Sequence, residues 1–154
     1  MRANSACQRK KENSNVYAAA GFQYYQLINR IPYYFSDKGT EMAFTHQSVE
    51  RMEIIRLEES VDMYSVFDLK KYCLELLKGG TKKFIFCMEK LDYMDSSGVG
   101  FLFLFITECR KNNAEAVIAG ISDQMKKLFE LTKMNDKLPF AESVKDAVIK
   151  FSGV

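Results

Sequence analysis

The sequence predicts an α/β fold: a mostly parallel central sheet of four to five strands with about four helices. Two observations predict it. Short apolar runs alternate with segments whose apolar residues recur at helical spacing, in the order β-β-α-β-α-β-α-β-α. The boundaries between them are punctuated by Gly, Asn, Pro or a capping residue. Strands separated by helices pair in parallel through right-handed crossovers.

Taken in order, Met52-Glu53-Ile54-Ile55-Arg56-Leu57 reads as a strand, preceded by a weaker one near Ala43 to Gln47. Val66, Leu69, Cys73, Leu76 and Leu77 follow helical spacing, and Gly79-Gly80 ends that helix. Lys83 to Met88 is a short apolar run of the kind that forms a buried strand. Gly98 to Lys111 is a helix, apolar on most faces as far as Thr107 and stopped by Asn112-Asn113. Glu115 to Ala119 is a further buried strand, closed by Gly120. Ser122 to Thr132 is an amphipathic helix, with Ser122 as N-cap and Met125, Leu128 and Phe129 turned inward. Leu138-Pro139-Phe140 is a short edge strand, where the N–H that Pro lacks costs no ladder bond. Glu142 to Phe151 is the last helix, with Val144, Ala147, Val148 and Phe151 on one stripe.

The 154 residues are 47% hydrophobic and 27% charged, enough apolar mass for a core of one domain. The net charge of +2 is unevenly spread: residues 1–41 hold six Lys or Arg against three acids, which leaves 16 basic and 17 acidic residues in 42–154. A body this close to neutral argues against a nucleic-acid-binding face. Cys7, Cys73, Cys87 and Cys109 form no Cys-x-x-Cys pair and His46 is the single histidine, so no zinc ligands are grouped. Cys73, Cys87 and Cys109 fall in apolar periodic segments and read as reduced core thiols of a cytoplasmic protein. No apolar run is long enough for stable membrane insertion, and no apolar stretch of signal-peptide type follows the basic N-terminus.

One segment carries chemistry. Leu91-Asp92-Tyr93-Met94-Asp95-Ser96-Ser97-Gly98-Val99-Gly100 lies between a buried strand and a helix start, and functional loops of open α/β sheets gather at the carboxyl ends of strands. Ser96 or Ser97 is placed to cap the helix by accepting from an orphan N–H, and Gly98 and Gly100 allow close packing of the first turn. A cap and a tight turn would account for these residues without further function. Catalytic readings fail: Met94 stands where a nucleophile elbow built on Ser96 needs Gly, no Gly-Lys-[Ser/Thr] phosphate loop is present, and a Ser-His-Asp triad would have to use His46, which has no distinguishing context. No cofactor loop is visible, and the chain is not expected to be an enzyme.

Several motifs fall in register with a known family. Met94-Asp95-Ser96-Ser97-Gly98-Val99-Gly100 resembles an Asp-Ser-Ser/Thr-Gly-Leu-Gly phosphorylation loop. Asp62 falls at the Asp of a Gly-x-Leu-Asp turn after the second strand, and Ile121 to Met134 resembles a helix ending in Leu-Thr-Gly-Leu. Asp136-Lys137-Leu138 and Ser143 to Ala147 resemble a closing strand and helix. Together they make residues from about 42 to 152 similar to a STAS domain of the anti-sigma factor antagonist family. Glu59-Ser60-Val61 departs from the Gly-x-Leu pattern, Lys133 replaces a Gly, and Leu104 and Phe105 stand where small residues are common.

The resemblance implies partner switching. The unphosphorylated antagonist would bind an anti-sigma factor that is also a GHKL-type serine kinase, releasing a sigma factor. Phosphorylation of the first loop serine, Ser96 (alternatively Ser97), would switch it off, and a PP2C-type phosphatase would reset it. Asp62, Asp95, Ser96, Ser97, Gly98, Phe103 and Leu104 are the expected partner-binding residues. A helix N-terminus with free N–H groups would tolerate the phosphate locally, while its charge beside Asp92 and Asp95 would repel a surface fitted to the neutral loop. Phe101, Phe103, Leu104 and Phe105 cannot all face one sheet, so Phe103 or Leu104 is expected at the surface near Ser96. The rival reading is a STAS interaction module in a sensory or lipid-transport complex, without phosphorylation.

Residues 1–41 are set apart from the domain at 42–154. They hold seven of the twenty aromatics without clean periodicity, together with Pro32. Lys38-Gly39 shortly before Met42 reads like a purine-rich translation-start signal rendered as protein. The expectation is a poorly structured extension, with translation starting at Met42. The competing reading is an amphipathic arm with Phe22, Tyr25, Ile28 and Asn29 on one face.

Overall fold

A computed structural model describes residues 44–49 and 51–153, so the expectation for residues 1–41 and the role of Cys7 lie outside the described residues. The elements are β1 (Phe44–Val49), β2 (Met52–Val61), α1 (Met63–Lys78), β3 (Lys83–Met94), α2 (Ser96–Lys111), β4 (Glu115–Ala119), α3 (Asp123–Leu131), β5 (Phe140–Ala141) and α4 (Val144–Phe151). Their order is the one expected from the alternation of apolar runs.

The strands lie side by side in chain order, β1-β2-β3-β4-β5. β1 is antiparallel to β2 and the other pairs are parallel. Each crossover therefore steps one strand over in the same direction, and crossovers of one hand carry α1, α2 and α3 to one face of the sheet. There Ile55, Leu57, Phe84, Phe86 and Ile118 pack with Leu69 and Cys73 of α1, Leu102 and Phe105 of α2 and Phe129 of α3. Phe105 sets its ring edge-on to Phe84 at 5.0 Å and to Phe86 at 5.7 Å. With no Trp in the chain, such rings carry much of the burial, roughly 2 kcal/mol for each fully buried Phe. On the opposite face Ile54, Ile85 and Val117 meet Val144, Ala147, Val148 and Phe151, the whole stripe expected of the last helix. Cys73, Cys87 and Cys109 are buried free thiols, and burial pushes Cys109 up to about 12 and raises the other two.

Two strands are longer than their apolar runs suggest. β2 continues to Val61 and β3 to Met94, because the parallel pairing survives two register irregularities and resumes at Glu58↔Lys90, Ser60↔Tyr93 and Val61↔Met94. Leu91 to Met94, expected in a loop, are thus strand. At the other margin, the edge strand is Phe140–Ala141, with Pro139 just before it.

His46 has more context than its sequence neighbours suggest. The Glu53 carboxylate is buried, and its Oε1 accepts from the Tyr72 hydroxyl at 2.5 Å and lies 3.1 Å from His46 Nδ1. The other oxygen accepts from the Ser48 hydroxyl. Burial, and then the Glu53 carboxylate, push the Tyr72 hydroxyl well above its ordinary value, so it remains a donor. This cluster ties α1 to the β1–β2 hairpin, at the pole of the sheet away from the Asp62 and Asp95 turns.

Candidate functional site

β2 and β3 end side by side, and both pass into a helix through an aspartate. Asp62 caps α1: its Oδ1 accepts from the N–H groups of Tyr64 and Ser65, each at 3.0 Å, while the Ser65 hydroxyl accepts from the Asp62 N–H at 2.9 Å. Asp95 caps α2 in the same way, with Oδ1 accepting from the N–H of Ser97 at 2.9 Å and of Gly98 at 3.2 Å, and from the Ser97 hydroxyl. The two turns are joined. The Asp95 N–H donates to the Val61 carbonyl at 3.1 Å, and the Met63 N–H at the start of α1 helps to stabilise the Asp95 carboxylate. Hydrogen bonds, chiefly from the Ser65 N–H, hold Asp62 below the ordinary carboxylate value, and the Ser97 hydroxyl foremost does so for Asp95. Each is thus fixed as an anion at a helix N-terminus.

This corrects the expectation that a serine caps α2. Asp95 is the cap because it is the last residue with extended backbone, φ −89° and ψ 178°, while Ser96 is already helical. Ser96, as the first helical residue, is exposed. Ser97 is half-buried, with its hydroxyl committed to Asp95. Of the first-turn N–H groups expected to be free for a phosphate, three are taken: those of Ser97 and Gly98 by the Asp95 carboxylate and that of Val99 by the Asp95 carbonyl.

Gly98 is required by a close approach. A Cβ there would stand 2.6 Å from Met94 Cγ and 3.2 Å from Val61 Cγ1, so only glycine lets α2 begin directly on the ends of β2 and β3. Gly100 instead borders open space, a groove of about 520 Å³ between α1 and α2. Val66, Lys70 and Leu74 line it from α1, and Ser97, Gly100 and Leu104 from α2. Of the two residues expected at the surface, Leu104 is 65% exposed and Phe103 is half-buried against the core. The structure therefore brings together Asp62, Asp95, Ser96, Ser97 and Gly98, with Leu104 two turns along α2. Sequence reading did not single out Met63, Tyr64, Phe67 and Tyr93, large apolar side chains left in solvent at this pole. Among the described residues no group of His, Cys, Asp and Glu could hold a metal ion, and no helix is long and apolar enough to cross a membrane.

The family model of the STAS domain matches residues 43–147. The chain belongs to the STAS domain family. Among similar proteins, the anti-sigma-B factor antagonist of Staphylococcus aureus is 29% identical over 82 residues, 53% of this chain and 76% of that one. The anti-sigma-B factor antagonist of Staphylococcus epidermidis is 24% identical over the same length. Among solved structures of the STAS fold, unphosphorylated SpoIIAA, an anti-sigma factor antagonist, superposes with a TM-score of 0.65 at 24% identity, over 73% of this chain and 98% of that one. Phosphorylated SpoIIAA, a Bacillus cell fate determinant, gives 0.59 at 24% identity, over 71% and 99% of the two chains. In this STAS domain Glu59 and Lys133, which replace glycines of the family pattern, both hold φ of 56°, the left-handed region that glycine enters without strain.

Proposed function

We propose that this STAS domain is an anti-sigma factor antagonist, switched off by phosphorylation of Ser96. The observation that carries the reading is the division of labour in Asp95-Ser96-Ser97. Asp95 and Ser97 hold the turn together, while Ser96 presents its hydroxyl to solvent on the first residue of α2. The relatives named as antagonists and the structural likeness to SpoIIAA in both phosphorylation states support it.

In the unphosphorylated state the chain binds an anti-sigma factor with GHKL-type serine kinase activity, through the Asp62 and Asp95 turns and the neighbouring surface of α2 that includes Phe103 and Leu104. A sigma factor is thereby released. The kinase transfers the γ-phosphoryl group of ATP: a bond forms between Ser96 Oγ and phosphorus, the bond from phosphorus to the β-phosphate oxygen breaks, ADP leaves and the hydroxyl proton is lost. A PP2C-type phosphatase hydrolyses the ester and restores the binding state. None of these steps needs a catalytic group of this chain.

The test is phosphate transfer from the anti-sigma kinase followed by site mapping. Phosphate is expected on Ser96, with S96A permanently competent to bind the kinase and S96D weakened. Phosphate mapped to Ser97 would move the switch to that residue. Absence of transfer would favour an interaction module outside sigma control.

A further inference from the structure

The groove between α1 and α2 has the dimensions of a ligand site. It holds about 520 Å³, inside the range of roughly 300–1,000 Å³ that small-molecule pockets occupy. Its α1 wall is Val66, Lys70 and Leu74, which recur every four residues and so share one face of the helix. Its α2 wall runs from Ser97 to Lys111, about 21 Å along the axis at the rise of an α-helix. The buried Phe101 and Phe105 also line it, with the exposed Leu104.

Two features set it apart from an ordinary seam between helices. The first is Gly100. A Cβ built there meets no atom within 4 Å, and Gly100 lies inside the helix without a positive φ, so the backbone would accept any side chain. Glycine weakens a helix interior, and nothing in the local geometry asks for it. Its effect is to leave the groove open. The second feature is Lys70, at the centre of an otherwise apolar stripe. Among the described residues, the lysines paired with a carboxylate are Lys90, Lys111 and Lys126, and Lys70 has none. The other cation of the lining, Lys111, is balanced by Glu108 at 3.4 Å. Two lysines against one glutamate leave the lining with a single positive charge, and it belongs to Lys70.

An occupant complementary to such a groove has one negative charge and a long apolar body. We infer that the groove is a binding site for a fatty acid, with the carboxylate held by Lys70 and the alkyl chain laid along Val66, Leu74, Phe101, Leu104 and Phe105. A nucleotide or sugar phosphate would bring many polar groups, and the lining has few to offer them. The Ser97 hydroxyl is committed to Asp95, and the Thr107 hydroxyl donates to the Phe103 carbonyl at 2.8 Å. Buried polar groups left without partners are costly, whereas an alkyl chain asks for none. The inference does not rest on the proposed function, since Ser96 is not part of the lining.

The test is calorimetric titration of the full chain with dodecanoate, kept below its micelle concentration. Dodecyltrimethylammonium, with the same chain and the opposite charge, is titrated in parallel. Dodecanoate is expected to bind at one site per chain, and the cation roughly tenfold more weakly or not at all. K70E, at an exposed position, is expected to weaken dodecanoate by roughly tenfold or more at an unchanged thermal midpoint. G100L places a side chain in the open space and is expected to abolish binding, while the thermal midpoint holds or rises because leucine favours a helix over glycine. Failure of dodecanoate to bind overturns the inference, as does equal binding of the two probes. Full affinity in either variant overturns it too, and none of these outcomes touches the phosphorylation of Ser96.

Discussion

Asp95 and Ser96 are neighbours with opposite duties, and substitution separates them. D95A removes the cap of α2, and the stability lost is expected to be about 1 kcal/mol in denaturant titration. S96A should stay within about 0.5 kcal/mol of the parent, because Ser96 caps nothing. The two caps also set the response to acid. Asp62 and Asp95 have folded-state values held below the ordinary 3.8, so what they contribute is present above that value and is lost as pH falls through the depressed folded values. Acid melts should show this loss below about pH 4, and D95N should flatten part of it. The sequence drew attention to this turn but not to its internal roles. Asp-Ser-Ser offers three residues in a row able to cap a helix, and only the backbone angles decide which of them does.

Between strand and helix, the irregular positions are the informative ones. Glu59 lies at a register irregularity of β2 against β3, with φ of 56°, and Lys133 ends the α3 turn with the same angle. A side chain with a Cβ is strained there by roughly 1–2 kcal/mol, and both side chains are exposed, with little packing to lose. E59G and K133G are therefore each expected to stabilise the fold by roughly 0.5–1 kcal/mol, read as a higher thermal midpoint, once the entropy of glycine in the unfolded chain is set against the relief of strain. If either substitution lowers the midpoint, the residue makes a compensating contact. Element order was legible because buried runs such as Lys83 to Met88 and Glu115 to Ala119 stand apart from the helical spacing of Val66 to Leu77. The ends of β2 and β3 were not legible. Glu58 to Ser60 and Asp92-Tyr93 carry no apolar alternation, and their pairing is dictated by the neighbouring strand.

Across the whole molecule, contacts between distant segments decide what the sequence cannot show. The Glu53 carboxylate draws donors from β1 and from α1, and nothing near Glu53 in the chain announces Tyr72. Y72F is expected to cost roughly 1–3 kcal/mol, because it removes one donor from a buried carboxylate while leaving the ring in place. A loss near zero in urea titration would show that water replaces the hydroxyl. The sheet has a different consequence, for the way the chain is made. Its strands stand in the order in which they are synthesised, so from β2 onward each new strand joins the one completed just before it, and none has to slip between two that are already paired. Such a sheet grows at one margin and keeps its contacts short in sequence, which favours fast folding of the nascent chain. The two aspartate turns, Ser96 and the exposed apolar side chains at this pole all fall between Val61 and Leu104, so the residues a partner would read are synthesised ahead of β4, α3, β5 and α4.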